Sequence, residues 1–268
     1  MNLFNVFNYV FIQKALITGS FIAILCSSLG VFLVLRRLSL IGDGLAHVSF
    51  GSIALGLFLG FYPIYIAIPV VMISSILILK LVEKANIYGD AAIGIISSLG
   101  IAAGVILASI SNGFNIDLFS YLFGNILAIS NNEMYLSVLL SLIVIIIIIT
   151  YYNDLFSITF DEEYAKVSGV NTKKINHFLV LFTAISVILA IKVVGTMLVS
   201  ALLIIPPVTS LQISKGFKSS IWISVILSAT SVILGIFISY YIDIPTGATI
   251  VLVNLAFFLI SFVIKKIK

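Results

Sequence analysis

The sequence predicts an all-α fold, a polytopic transmembrane helix bundle of about 8–9 spans in a single domain covering residues 1–268. Three observations lead there. Hydrophobic residues make up 62% of the chain and charged residues only 9%, against about 25% charged in a soluble domain. Mean hydropathy is +1.30, which is more apolar surface than a water-soluble fold can hide. The basic residues fall almost entirely on one side of the apolar stretches, and this sets the orientation.

Taken in order, Met1–Tyr9 reads as a short external or interfacial arm with Phe4, Phe7 and Tyr9. It lacks a basic start and a small-residue cleavage site, so no cleavable signal is expected. The first span covers Phe11–Leu35, with Gly19, Ala23 and Ser27 four apart on a face suited to close helix approach. Cys26 lies in it as a lone, small packing residue. The second span follows Arg36 and Arg37, carries Asp43 and His47, and continues in a small-residue stripe of Ser52, Gly56 and Gly60. The third covers Tyr62–Leu81. The fourth covers Ala91–Ile110, with Gly100, Gly104 and Ala108 as its stripe. Ile116–Ser130 has an apolar part too short for the roughly 20 residues a span needs, so it reads as a re-entrant or interfacial helix on the outer side.

The fifth span is Tyr135–Tyr152. After the polar stretch Asn153–Lys174 come Ile175–Ile191, Val193–Ile213, Ile221–Tyr241 and Thr246–Ile264. The Val193–Ile213 span is the least regular, because Pro206 and Pro207 each remove a backbone donor. Thr209 and Ser210 lie near enough to answer the freed groups.

Of the 14 lysines and arginines, only Lys14 and Lys192 fall outside when the amino terminus is placed outside. Arg36, Arg37, Lys80, Lys84, Lys166, Lys173, Lys174, Lys215, Lys218, Lys265, Lys266 and Lys268 then fall inside, which puts the carboxyl terminus in the cytoplasm. The formal net charge of +4 is therefore a topology signal. No basic face interleaved with aromatics points to nucleic acid. Lys192 stands near an outer helix end, from which a lysine snorkels to the interface.

Asp43 and His47 are the candidate site. An ionisable side chain inside a span costs roughly 2.5–3.5 kcal/mol on insertion scales, and such residues are functional by default. Four apart, they stack on one helix face. A carboxylate and an imidazole aimed at one point are ligands for a divalent transition metal. The alternative is a buried hydrogen bond that only fixes packing. His177, the second histidine, stands at the cytoplasmic start of a span and reads as an interface residue.

In the stretch SITFDEEYAKVSGVNTKK, Ser157–Lys174, Thr159 and Glu162 fit a capping box. Asp161, Glu162 and Glu163 suit a helix amino end, and Gly169 suits the position after it. A short helix over about Asp161–Val167 follows. A plain connection needs only a few residues, so this element reads as a docking site for a soluble partner. The alternative is a solvated connector. A P-loop, an H-E-x-x-H run and a G-x-S-x-G elbow are all missing from the sequence, so ATP binding through a P-loop and the commonest membrane zinc-protease signature are excluded.

Four segments resemble the integral-membrane permease subunits of bacterial ABC importers for zinc, manganese and iron. Arg36-Arg37 through Gly42–His47 resembles the family's second-span motif, and Tyr121–Ser130 its outer short helix. Asp161–Val170 resembles the coupling helix that docks on the ATPase, and Val193–Ser210 the proline-containing span. The resemblance implies a multi-pass protein of the bacterial plasma membrane, paired with a second copy of itself, a cytoplasmic ATPase pair and an extracytoplasmic metal-binding protein. It implies a coupling role for Asp161, Glu162, Glu163, Ala165 and Gly169, with the helix over about 159–170, and metal contact at Asp43 and His47. It implies no catalysis by this chain and no bound cofactor, the metal being cargo. VSFGSIALG after His47 resembles zinc-type members, which makes zinc the expected metal and manganese or iron the runners-up. A proton-coupled secondary carrier is the reading from another class, because intramembrane acid–imidazole pairs also relay protons. Two ligands fall short of the roughly four zinc takes, so a site shared by two copies across a two-fold axis is expected.

Overall fold

The computed structural model describes residues 9–85, 87–111, 121, 124, 129–196 and 199–267, without the side chains of 192–194 and 267. The helices are α1 (Val10–Leu35), α2 (Ile41–Phe58), α3 (Pro63–Ala85), α4 (Gly89–Ile110), α5 (Asn131–Thr150), α6 (Tyr152–Phe160), α7 (Glu162–Val167), α8 (Thr172–Val194), α9 (Val199–Ile213), α10 (Phe217–Ile242) and α11 (Thr246–Ile267). No strand occurs among the described residues. Eight of these helices are long and apolar enough to cross a bilayer, and α9 is a shorter apolar helix of 15 residues.

Burial sorts the helices into two sets. About 72% of the spans of α1 and α2 and 67% of α8 are buried, against 28–33% for the other long helices. The first three therefore form the inside of the bundle. α1 packs against α5, α6, α8, α9 and α10, and α2 against α3, α4, α8 and α9. Lipid tails are as apolar as leucine, so close backbone approach has to supply the attraction between such helices. Glycine supplies it along α2. A Cβ on Gly51 would overlap the carbonyl oxygen of Gly100, and one on Gly100 would lie 2.6 Å from the Val48 Cα. On other faces of α2, Gly44 receives Ile93 and Gly42 receives Leu203, each 2.5 Å from the position a Cβ would take. α10 approaches α1 through a serine stripe, Ser220, Ser224 and Ser228, all buried, with the Ser224 hydroxyl donating to the Ser27 carbonyl at 3.3 Å.

The cytoplasmic stretch between α5 and α8 holds two helices where one was expected. The fifth span ends at Thr150, and α6 follows, its Phe156 and Phe160 rings packing on Phe217. Thr159 lies in α6 and donates to the Leu155 carbonyl, so it does not cap α7. The cap is Asp161, whose Oδ1 accepts from the Tyr164 N–H at 2.9 Å. Gly169 takes the expected left-handed turn at φ +88°. Val170 N–H bonds back to the Ala165 carbonyl and Gly169 N–H to the Lys166 carbonyl, closing α7 in a Schellman motif.

The proline-containing span also differs from its expected bounds. Val193 and Val194 finish α8, the chain breaks at Gly195 with φ +83°, and α9 begins at Val199. The Thr209 and Ser210 hydroxyls bond to the Ile205 and Pro207 carbonyls, not to the Leu202 and Leu203 carbonyls that the prolines leave without donors. The Leu203 carbonyl instead faces Gly30 of α1, where a Cβ would overlap it. Met1–Asn8, the side chain of Lys192 and most of the expected re-entrant segment Ile116–Ser130 lie outside the described residues.

At the end opposite Arg36, the turn between α2 and α3 is tied to α5. The Tyr62 hydroxyl donates to Glu133, whose other oxygen accepts from the Ser130 N–H at 2.9 Å in a complete capping box. Burial first, then this bond, pushes the Tyr62 phenol well above its ordinary value.

Replacing Gly100 with Val forces α2 and α4 apart and should cost several kcal/mol, at the upper end of overpacked sites. A methyl group on Gly94 would meet nothing within 4 Å, so Gly94→Ala should be neutral or slightly stabilising in the same helix. Thermal unfolding in detergent checks the pair. Equal shifts for both variants would remove the role given to the Gly51–Gly100 contact.

Candidate metal path and cytoplasmic docking face

Asp43 and His47 stand in the first two turns of α2, on the part of that helix that glycine contacts leave clear of its neighbours. Their side chains are 48% and 35% exposed in an otherwise buried helix. Asp43 Oδ2 and His47 Nε2 are 3.6 Å apart, which is too long for a hydrogen bond. Two ligands about 2.1 Å from a tetrahedral metal lie roughly 3.4 Å apart. The spacing is thus compatible with a cation between the two atoms.

A third member, Ser200, was not visible in the sequence; its hydroxyl donates to Asp43 Oδ1 at 3.0 Å. Ser200 is in the first turn of α9 and Asp43 in the first turn of α2. Two helix amino ends thus meet at one carboxylate, and each favours negative charge there. Among the described residues no group of three or more His, Cys, Asp or Glu comes together. His177 is remote from the pair in topology, its Nδ1 lying 2.7 Å from the Lys173 carbonyl one turn earlier in α8.

The residues expected to couple separate into an anchoring set and an exposed set. Ala165 is fully buried and seats α7 on the bundle, so a bulky residue there would disturb the fold before any partner. Glu162 also faces the bundle. Its Oε2 accepts from the Arg36 guanidinium at 2.7 Å and its Oε1 from the Asn176 amide at 2.8 Å, while Arg36 also donates to Asn176 Oδ1 at 2.6 Å. Burial lowers the Arg36 guanidinium below its ordinary value, and Glu162 and then Glu83 oppose that, so it stays a cation. Asp161 is spent on its capping bond, and Gly169 on its left-handed turn. Glu163 is exposed, and beside it Tyr164 and Val167 are 67% and 88% exposed, an apolar face turned to the cytoplasm. Neither Tyr164 nor Val167 stands out in the sequence, where the helix is marked by its charges.

A model of the family described as the ABC 3 transport family matches residues 8–265. The chain belongs to that family. It is a multi-pass membrane permease of the bacterial plasma membrane. It is 34% identical over 257 residues to the manganese import system permease protein ScaB of Streptococcus gordonii, covering 96% of this chain and 92% of that one. It is 33% identical over 248 residues to the high-affinity zinc uptake system membrane protein ZnuB of Haemophilus influenzae, covering 92% and 95%. Among solved structures, PsaBC from Streptococcus pneumoniae in complex with Fab matches with a TM-score of 0.85 at 34% identity, over 95% of this chain and 91% of that one.

The Arg36–Glu162–Asn176 ring should hold α7 to the membrane bundle. Arg36→Gln and Glu162→Gln should each lower the unfolding temperature, and the double variant should fall short of their sum. The coupling should be roughly 0.5–1 kcal/mol, reduced by the half-exposed position of Glu162. Strictly additive losses in a double-mutant cycle would mean the contact contributes nothing.

Proposed function

We propose that the permease passes a divalent transition metal into the cytoplasm, and that Asp43 and His47 are its contacts on the way. The observation that carries this reading is their 3.6 Å separation on one face of a buried helix. Ser200 orients the carboxylate from α9. Carboxylate, hydroxyl and imidazole are hard to borderline donors, which suit manganese, iron and zinc alike. The likeness to relatives named for manganese favours manganese. Zinc, expected from the run after His47, is the second reading, and the similarity to ZnuB supports it. Iron stands behind both.

A two-donor set, each donor a third or more exposed, fits a cargo that must leave again. It also fits completion by a second copy of this chain. The energy comes from a separate cytoplasmic ATPase that meets α7 through Tyr164 and Val167, and an extracytoplasmic binding protein delivers the metal. Membership of an ABC family disfavours a proton-coupled carrier.

Asp43→Ala and His47→Ala should reduce uptake to background in cells lacking their own importers, with the protein still present in the membrane. Radiolabelled manganese and zinc, each competed with the other, measure this. Near-normal uptake in both variants would end the assignment, and zinc uptake unaffected by excess manganese would reverse the order of the metals.

Val167→Asp places a charge at the most exposed apolar position of α7 and should leave the bundle intact. Co-purification with the ATPase should fall at least tenfold, with the unfolding temperature unchanged. Full assembly of this variant would move the docking face elsewhere.

A further inference from the structure

α5 and α10 each pack against α1, and between them they leave a groove of about 440 Å³. Ile24 and Ser28 of α1 form part of its floor, and Ile148 and Val225 stand on opposite walls. At one end Lys218 and Trp222 of α10 face Tyr152 of α6. Only 28% of the α5 span and 33% of the α10 span are buried, so the groove opens towards lipid.

We propose that this groove holds an acyl chain of an anionic phospholipid of the cytoplasmic leaflet, with the lipid phosphate at Lys218. The position of the charge selects the leaflet. Lys218 follows the α9–α10 loop, on the side where nearly all basic residues gather. It lies in the first turn of α10, so the helix amino end adds to its positive field. The aromatic residues mark the same level. Trp222 is exposed, and with Tyr152 it places two amphipathic rings where headgroups meet tails. The walls suit a tail, not a protein segment. The groove extends along about 10 Å of α10 between Lys218 and Val225, where a packed helix about 10 Å across would need on the order of 800 Å³.

Trp222 is the one tryptophan of the chain, so its fluorescence reports on this groove alone. The full chain is placed in phosphatidylcholine nanodiscs containing graded amounts of phosphatidylglycerol or phosphatidylcholine with brominated acyl chains, which quench tryptophan on contact. Half-quenching should need about fivefold less brominated phosphatidylglycerol than brominated phosphatidylcholine. Lys218→Gln should bring the two lipids level and Lys218→Arg should keep the preference. Val225→Phe, which fills the groove beside an intact Lys218, should also abolish it. Equal half-quenching by both lipids in the native chain would overturn the proposal. So would a preference that survives Lys218→Gln, or tryptophan emission that neither lipid reaches, which would mean that protein covers the groove.

Discussion

The structure depends on how closely α2 can approach its neighbours. In water a helix face is held by expulsion of solvent from apolar side chains. In a bilayer that force is absent between helices, and contact must come from backbone lying against backbone. Gly51 against Gly100 does this for α2 and α4, and Gly30 against the Leu203 carbonyl does it for α1 and α9. These contacts take nearly all of the α2 surface. What they leave is the strip that carries Asp43 and His47, so the same glycines that bury the helix also isolate the two ionisable side chains on it.

The prolines of α9 belong to the same arrangement. Pro207 deprives the Leu203 carbonyl of its helical partner, and an unanswered carbonyl in a low-dielectric bundle is costly. Hydroxyls along α9 do not reach it. The residue that does is Gly30, which can meet it only because it has no side chain. With Gly42 also receiving Leu203, one residue of α9 sets its distance from α1 and from α2. That seating brings Ser200 to Asp43.

Much of this was legible in the sequence, and the misses have physical causes. Hydropathy marks the spans because the bilayer fixes their length and their lack of charge. It misplaces the boundary between α8 and α9, set at Lys192 in the sequence, because the break is a backbone event at Gly195. It fails at α6 because Phe156 and Phe160 sit among polar residues and owe their helix to the distant Phe217. Asp43 and His47 were visible as a pair since their spacing is local. Ser200 was not, because it lies 157 positions from Asp43. Charge located α7 in the sequence. Two of its acids, Asp161 and Glu162, are taken up in capping and in the bond to Arg36, while Glu163 stands exposed beside the uncovered Tyr164 and Val167.

Arg36 is where the two ends of the proposed machine meet. It caps α1, and the next residue, Arg37, takes a left-handed conformation at φ +57°. That conformation costs a non-glycine residue about 1–2 kcal/mol. The turn holds because Arg37 N–H and Leu38 N–H bond back to the Val34 and Leu33 carbonyls, and because the Arg36 side chain is fixed to Glu162 and Asn176. The turn leads within a few residues into the α2 strip bearing Asp43. On the proposed docking, a force on α7 would reach a turn already under strain through charge-assisted bonds rather than through a flexible loop. Either the α1–α2 turn follows α7, or the ion pair must break. A hydrophobic contact at the same place would slide, whereas a three-way ring of hydrogen bonds has a defined geometry in which it holds and otherwise lets go.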